Sequence, residues 1–135
     1  MNWKAEAVNK LRKFDAMRQA VKNIPDELAR LKIDRKSLAE SGNACEDKLL
    51  NNLVLSRELA WTLEQAQLWL RTVSAAFSVL TPEEKLILSH FYIYRETGTL
   101  NRLCQQLSLE QSSIYRRRDK ALHKFTLALY GTADN

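Results

Sequence analysis

Leu103-Cys104-Gln105-Gln106-Leu107-Ser108-Leu109-Glu110-Gln111-Ser112-Ser113-Ile114-Tyr115-Arg116-Arg117-Arg118 decides the fold. Leu103, Leu107, Leu109 and Ile114 recur at the spacing with which two helices bury a shared core across a tight turn. Cys104 falls where the helices cross closely and only a small side chain fits. Ser108-Leu109-Glu110-Gln111 reads as a capping box opening a last helix over about 109–130, and Gly131 is its natural stop. Ile114, Ala121, Leu122 and Phe125 continue the buried face. With about 100° between successive residues, Ser112, Arg116, Lys120 and His123 fall on the opposite side. Ser113 and Asp119 lie beside them, with Tyr115 and Arg117 on the flanks.

Upstream, Leu80-Thr81-Pro82-Glu83-Glu84 is a strong helix start. Thr81 suits the N-cap, Pro82 the first helical position, and Glu84 the capping-box carboxylate. The pattern predicts a helix through Leu86, Ile87, Phe91 and Tyr92, broken at Thr97-Gly98-Thr99. A short helix then runs from Leu100 to about Gln106.

Two short helices and a tight turn before a basic helix suggest a helix-turn-helix, whose second helix reads bases with its first two turns. Those turns offer Gln111, Ser112, Ser113, Tyr115, Arg116 and Arg117. Arg pairs with guanine, Gln with adenine, and Tyr or Ser with phosphate. Arg118 projects nearer the buried edge, toward a phosphate or an internal carboxylate. Lys120 and Lys124 come later and suit backbone phosphate. A Tyr-Arg-Arg-Arg run alone is usually a solvated face. The core spacing and the capped helix before it turn the balance toward double-stranded DNA.

The amino-terminal half carries long helical stripes. One runs Trp3, Ala7, Leu11, Phe14, Met17, Val21, Ile24, Leu28, Leu31 and Leu38, with Arg35 its only charge. Pro25 kinks or restarts this helix. Ser41-Gly42-Asn43-Ala44 is a breaker. A second helix follows, with the stripe Leu49, Leu53, Leu59, Leu63, Ala66, Leu70, Val73 and Phe77. Two such helices with a short loop should fold back as an antiparallel hairpin with a coiled-coil-like seam. Leu50, Val54, Trp61 and Leu68 lie on nearly the opposite face, and Trp69 also lies off the inner seam. One partner helix cannot cover both stripes. The carboxyl-terminal domain or another copy of the chain, giving a homo-oligomer, would cover the second. The expected division is a hairpin at 1–78, a helix-turn-helix at 79–131 and a tail at 132–135.

Composition narrows the classes further. The chain has 135 residues, 3 Gly and 2 Pro, and 45% hydrophobic residues. That excludes fibrous and low-complexity classes. No apolar run reaches a membrane span, and Asn2-Trp3-Lys4-Ala5-Glu6 lacks a signal-peptide core, so the expected location is the cytoplasm with no membrane partner. The net charge is +5. Residues 1–40 carry ten basic and six acidic groups, residues 41–99 five and seven, and residues 100–135 six and three. Basic ends around an acidic middle suit a polyanion weakly. Cys45 and Cys104 form no metal or redox motif and read as two reduced thiols. His90 reads as partly buried, and His123 as exposed or a phosphate contact. No catalytic constellation, metal-ligand spacing or cofactor motif is present, so neither enzyme chemistry nor a cofactor is expected.

Leu80-Thr81-Pro82-Glu83-Glu84-Lys85, Leu103-Cys104, Leu107-Ser108-Leu109 and Ile114-Tyr115-Arg116 resemble region 4 of bacterial sigma factors, a helix-turn-helix that reads an upstream promoter element. The chain is more similar to the RinA/ArpU-like family of phage late-gene transcription regulators. His90-Phe91-Tyr92-Ile93, the run Glu110 to Leu122, and Phe125 to Gly131 carry that likeness. It is good over 80–131, weaker over 48–79, and only a long-helix character over 1–40. The resemblance implies an all-α activator of phage or prophage late genes, for packaging and structural proteins, in a bacterial host cell. Its implied partners are late-gene promoter or operator DNA and the host RNA polymerase. The implied recognition segment is Gln111 to Arg118. Two positions depart from the sigma pattern: Ser108 where Gly often stands, and Glu110 where a capping Ser often stands. Two other readings fit the same residues. One is a sigma-like adaptor that grips polymerase, with Trp61 and Trp69 as anchors. The other is a small terminase subunit that binds DNA for packaging.

Overall fold

The computed structural model describes residues 1–41 and 46–134. Among them all regular structure is helical. The elements are α1 (Trp3–Glu40), α2 (Glu46–Ser78), α3 (Pro82–Leu88), a π-helical segment (Ser89–Ile93), α4 (Thr99–Leu107) and α5 (Gln111–Tyr130). Of the breaker Ser41-Gly42-Asn43-Ala44, the last three residues, and Cys45 after them, lie outside the described residues. Among the described residues no helix is long and apolar enough to cross a membrane.

α1 runs unbroken through Pro25. Proline supplies no N–H to the carbonyl four residues back, so the helix forgoes one hydrogen bond there without ending. Its stripe is inward as expected: Ala7, Leu11 and Leu31 are buried, and the other seven positions are half-buried.

The chain divides into two compact units, Met1–Asp15 with Arg71–Asn135, and Ala16–Leu70. Each long helix contributes to both. In the unit of residues 16–70, Arg35 Nη1 donates to Asn52 Oδ1 (2.8 Å) and Ser56 Oγ (2.6 Å). Asn52 Nδ2 donates to the Leu31 carbonyl at 3.0 Å. Met17 shares a groove with Trp61, Ala66 and Trp69. Low positions of α1 thus meet high positions of α2, and the two segments run antiparallel. Leu53, expected on the inner seam, is instead 49% exposed. Asn52 and Ser56 take the inner positions because a half-buried guanidinium needs acceptors opposite it.

In the unit of residues 1–15 and 71–135, α3 and α4 both pack on α5. Leu80, Ile87, Leu88, Leu103, Ile114, Ala121, Leu122 and Phe125 form its core, joined by Val73, Ala76 and Ala133. Phe77 meets Phe125 edge to face, with ring centroids 6.0 Å apart. The Trp3 ring lies tilted against Tyr130 with centroids 4.8 Å apart, and Lys10 Nζ lies 5.1 Å from the Tyr130 centroid. Thr81 caps α3 as expected: Glu84 N–H donates to Thr81 Oγ1 (3.2 Å), and Thr81 N–H donates to Glu84 Oε1 (2.8 Å). The helix does not continue regularly through Phe91 and Tyr92. It widens into the π segment, closed by Tyr94 N–H donating to the Ser89 carbonyl at 2.7 Å.

The turn between α4 and α5 also differs from the expectation. Ser108 does not open α5 in a capping box. It ends α4 in the left-handed conformation (φ 53°, ψ 44°), and its own N–H and that of Leu109 are both turned onto the Cys104 carbonyl. α5 begins at Gln111 rather than 109, and its N-cap Glu110 makes no side-chain cap. A longer acidic side chain is a poor substitute for Ser at that position. Gly131 stops α5 at φ 73°, as expected. A non-glycine residue in the left-handed region costs about 1 kcal/mol. Ser108→Gly should therefore raise stability by about 0.5–1 kcal/mol in urea unfolding. A loss of stability would mean that Ser108 contributes more to the turn than its backbone strain costs.

Candidate nucleic-acid interface

α5 is two-sided. Ile114, Ala121, Leu122, Phe125 and Thr126 are buried along one side, and the Thr126 hydroxyl satisfies itself on the Leu122 carbonyl at 2.6 Å. Gln111, Ser112, Arg116, Lys120 and His123 are exposed on the other. Burying five positions of one helix fixes its rotation, so the exposed set is presented in a defined direction.

The basic residues divide into three groups. Arg116 is exposed, and its Nη2 donates to Ser113 Oγ of its own helix at 3.1 Å. With Lys120 it faces outward without a carboxylate partner among the described residues.

Arg117 and Lys124 reach across to the first turn of α3. Arg117 Nη1 pairs with Glu83 Oε1 at 2.5 Å, and Lys124 Nζ with Glu84 Oε1 at 3.0 Å. The local sequence marks Glu83 and Glu84 only as helix-start residues. Glu84 does both jobs, capping α3 and holding Lys124. An open groove of about 660 Å³ results, walled by the acidic turn on one side and Ser113, Arg116, Arg117, Lys120 and Lys124 on the other.

Arg118 forms the third group. Its guanidinium carbon lies 5.1 Å from the Phe91 ring centroid and 4.9 Å from that of Tyr115, and the two rings are 6.0 Å apart. It also pairs with Asp119 at 3.0 Å. The helical wheel puts Arg118 near the buried edge, and it is half-buried there. The π segment brings Phe91 to this contact, and no local signal in the sequence marks that. Tyr115 keeps 39% exposure while flanking the outward face.

The remaining sequence-selected positions lie on α2, in the other unit: Leu50, Val54, Trp61 and Leu68 are exposed and Trp69 is half-buried. Cys104 is a half-buried free thiol. His90 is half-buried and His123 exposed. Among the described residues no His, Cys, Asp and Glu group is arranged to hold a metal ion.

No family model, curated protein or solved structure matches the chain.

Glu84 gives the site a pH dependence. Burial pushes its carboxyl up. The Thr81 backbone N–H and the Lys124 ammonium outweigh burial and hold it below the ordinary glutamate range. A carboxyl depressed by folding stabilises fully above its unfolded pKa of about 4.3, and that stability is lost as pH falls through the lower folded value. Acid unfolding followed by circular dichroism should therefore show Glu84→Gln less stable than the parent at neutral pH. The two curves should converge once pH drops below the folded pKa. A constant gap across the whole titration would sink the linkage.

Proposed function

We propose that this chain is a sequence-specific double-stranded-DNA-binding transcription regulator, with α4, the Ser108–Glu110 turn and α5 acting as a helix-turn-helix of the sigma-region-4 kind. The two-sidedness of α5 supports this reading most directly: buried Ile114, Ala121, Leu122 and Phe125 behind, exposed Gln111, Ser112, Arg116 and Lys120 in front. The left-handed Ser108 adds support, because glycine adopts that conformation most readily and often stands there in the sigma pattern.

On this reading α5 enters the major groove. Arg116 reads a base edge, with guanine O6 and N7 its natural partners, and Gln111 suits adenine. Ser112, Ser113 and Tyr115 meet phosphate or a base edge from the first turns. Lys120 meets backbone phosphate. Arg117 and Lys124 exchange Glu83 and Glu84 for phosphate oxygens on docking. Exposed ion pairs of this kind are worth about 0–1 kcal/mol, so the exchange costs little. Arg118 orders the face from behind by clamping Tyr115. The amino-terminal helices form a hairpin. Regulation of phage late genes in a bacterial host, with RNA polymerase as a further partner, follows from the resemblance and belongs to the same proposal.

The test is selection of duplexes from a random DNA pool, followed by titration of the winners at several salt concentrations. An enriched motif bound roughly a thousandfold more tightly than random DNA is expected. Weak, steeply salt-dependent binding with no motif would overturn sequence-specific regulation and favour a polymerase adaptor. On the selected site, Arg116→Ala should cost about 1–3 kcal/mol and relax preference at one base pair. An equal loss on every sequence would move Arg116 to the phosphate contacts. Glu83→Gln, which releases Arg117, should tighten binding to all duplexes by a factor of about two to five, within the worth of a surface ion pair.

A further inference from the structure

The outer face of α2 repeats with a coiled-coil period. Leu50, Val54, Arg57, Trp61, Glu64 and Leu68 follow in steps of four, three, four, three and four. The apolar four are 59%, 48%, 64% and 53% exposed. On the helical wheel they lie roughly opposite Leu59, Leu63 and Ala66, which are half-buried or buried, and Trp61 and Leu68 also border the groove that Met17 and Ala66 line. Arg57 and Glu64 form no ion pair among the described residues. A continuous apolar seam on a water-facing helix, interrupted by two unpaired opposite charges, calls for a partner that supplies the complement.

We propose that the complement is a second copy of the same face, packed antiparallel about a two-fold axis at Trp61. In an antiparallel pair the same edge of each helix meets its counterpart, and positions equidistant from the axis oppose one another. Arg57 lies four residues before Trp61 and Glu64 three after, one residue (about 1.5 Å of rise) short of equidistance and within the reach of two long side chains, both on one edge of the seam. Arg57 of each copy therefore meets Glu64 of the other, forming two ion pairs. Val54 meets Leu68 of the second copy on both sides, and the two Trp61 side chains pack at the centre. Large aromatics at the middle of a patch are the usual energetic anchors of an interface. A parallel pair would oppose Arg57 to Arg57 and Glu64 to Glu64, and like charges so placed repel. The charge pattern thus selects both the occupant and its direction. The argument uses no part of the DNA reading. If both hold, the DNA site has two half-sites.

Sedimentation of the full chain without DNA, from submicromolar to about 100 μM, tests the proposal. A monomer–dimer equilibrium is expected. Arg57→Glu and Glu64→Arg should each weaken dimerisation roughly tenfold, because each leaves two like-charge contacts. The double variant should regain dimerisation with the pairs reversed. Trp61→Ala should sediment as monomer with an unchanged helical spectrum, since the side chain is exposed in the monomer. In a Cys45→Ser, Cys104→Ser background, Val54→Cys mixed with Leu68→Cys should form a disulfide-linked heterodimer under mild oxidation, and Val54→Cys alone should not link to itself. A chain that stays monomeric throughout, a closed ring of many copies, a double variant weaker than either single, or self-linking of Val54→Cys would each overturn it.

Discussion

Ile114, Ala121, Leu122 and Phe125 lie along one side of α5, all but Leu122 with no exposed surface, and what the rest of this unit presents depends on that packing. Burying an Ile, Leu or Phe side chain contributes about 1.5–3 kcal/mol, against a net folding free energy of only about 5–15 kcal/mol. The helix cannot rotate by one position without exposing part of this set. The direction of Arg116 and Lys120 is therefore a consequence of apolar packing, not of any interaction those side chains make themselves. Leu103 from α4 and Ile87 and Leu88 from α3 complete the same core, also buried. The basic face is held in place by residues that carry no charge.

Electrostatics then shapes what the packing presents. Four basic side chains, Arg116, Arg117, Lys120 and Lys124, line the groove, and two acidic ones, Glu83 and Glu84, lie opposite. Half the basic charge is thus engaged inside the molecule, leaving Arg116 and Lys120 as the outward surplus. The engaged pairs are partly exposed, with the Arg117 and Lys124 side chains each 46% accessible. Water and salt already weaken them, so an incoming anion competes on nearly equal terms. A fully buried pair would not have this property, since breaking it would strand a charge in a medium that cannot solvate it. Arg118 behaves differently because two aromatic faces and Asp119 hold it at once. It suits a fixed support rather than a mobile contact.

Much of this was legible in the sequence, and the failures share a cause. Helical periodicity located the inner stripe of α1 position by position, because an amphipathic helix writes its buried side into the spacing of its residues. The Thr81–Glu84 box was legible because both partners lie within one turn. Gly131 was legible because a left-handed stop favours glycine. Ser108 departs from its reading for the same local reason: Ser-x-x-Gln looks like a box, whereas the Ser108 and Leu109 N–H groups close onto the Cys104 carbonyl, so Ser108 ends one helix instead of starting the next. Leu53 was placed on the seam by periodicity and displaced by a polar requirement arising on another helix, at Arg35. The Glu83–Arg117 and Glu84–Lys124 pairs span 34 and 40 residues, and Phe91 reaches Arg118 through a π turn. No window of local sequence contains both partners of such contacts.

Arg35 shows why the displacement of Leu53 has structural weight. A leucine seam of uniform composition tolerates sliding by one heptad, since each apolar layer is nearly equivalent to the next. Arg35, Asn52, Ser56 and the Leu31 carbonyl form one hydrogen-bonded set between α1 and α2. Sliding by a heptad would put Leu59 or Leu63 opposite the guanidinium and leave its donors unmet, at a cost of about 1–3 kcal/mol or more for a charged group. Replacing the set by leucines would gain burial and lose that discrimination. The polar layer therefore contributes register rather than affinity between the helices. Register in turn decides which residues of α2 face outward, since a rotation that brought Leu53 inward would carry Leu50, Trp61 and Leu68 round with it. The composition of the outer face and the polarity of the inner seam are thus one constraint, set by a single arginine.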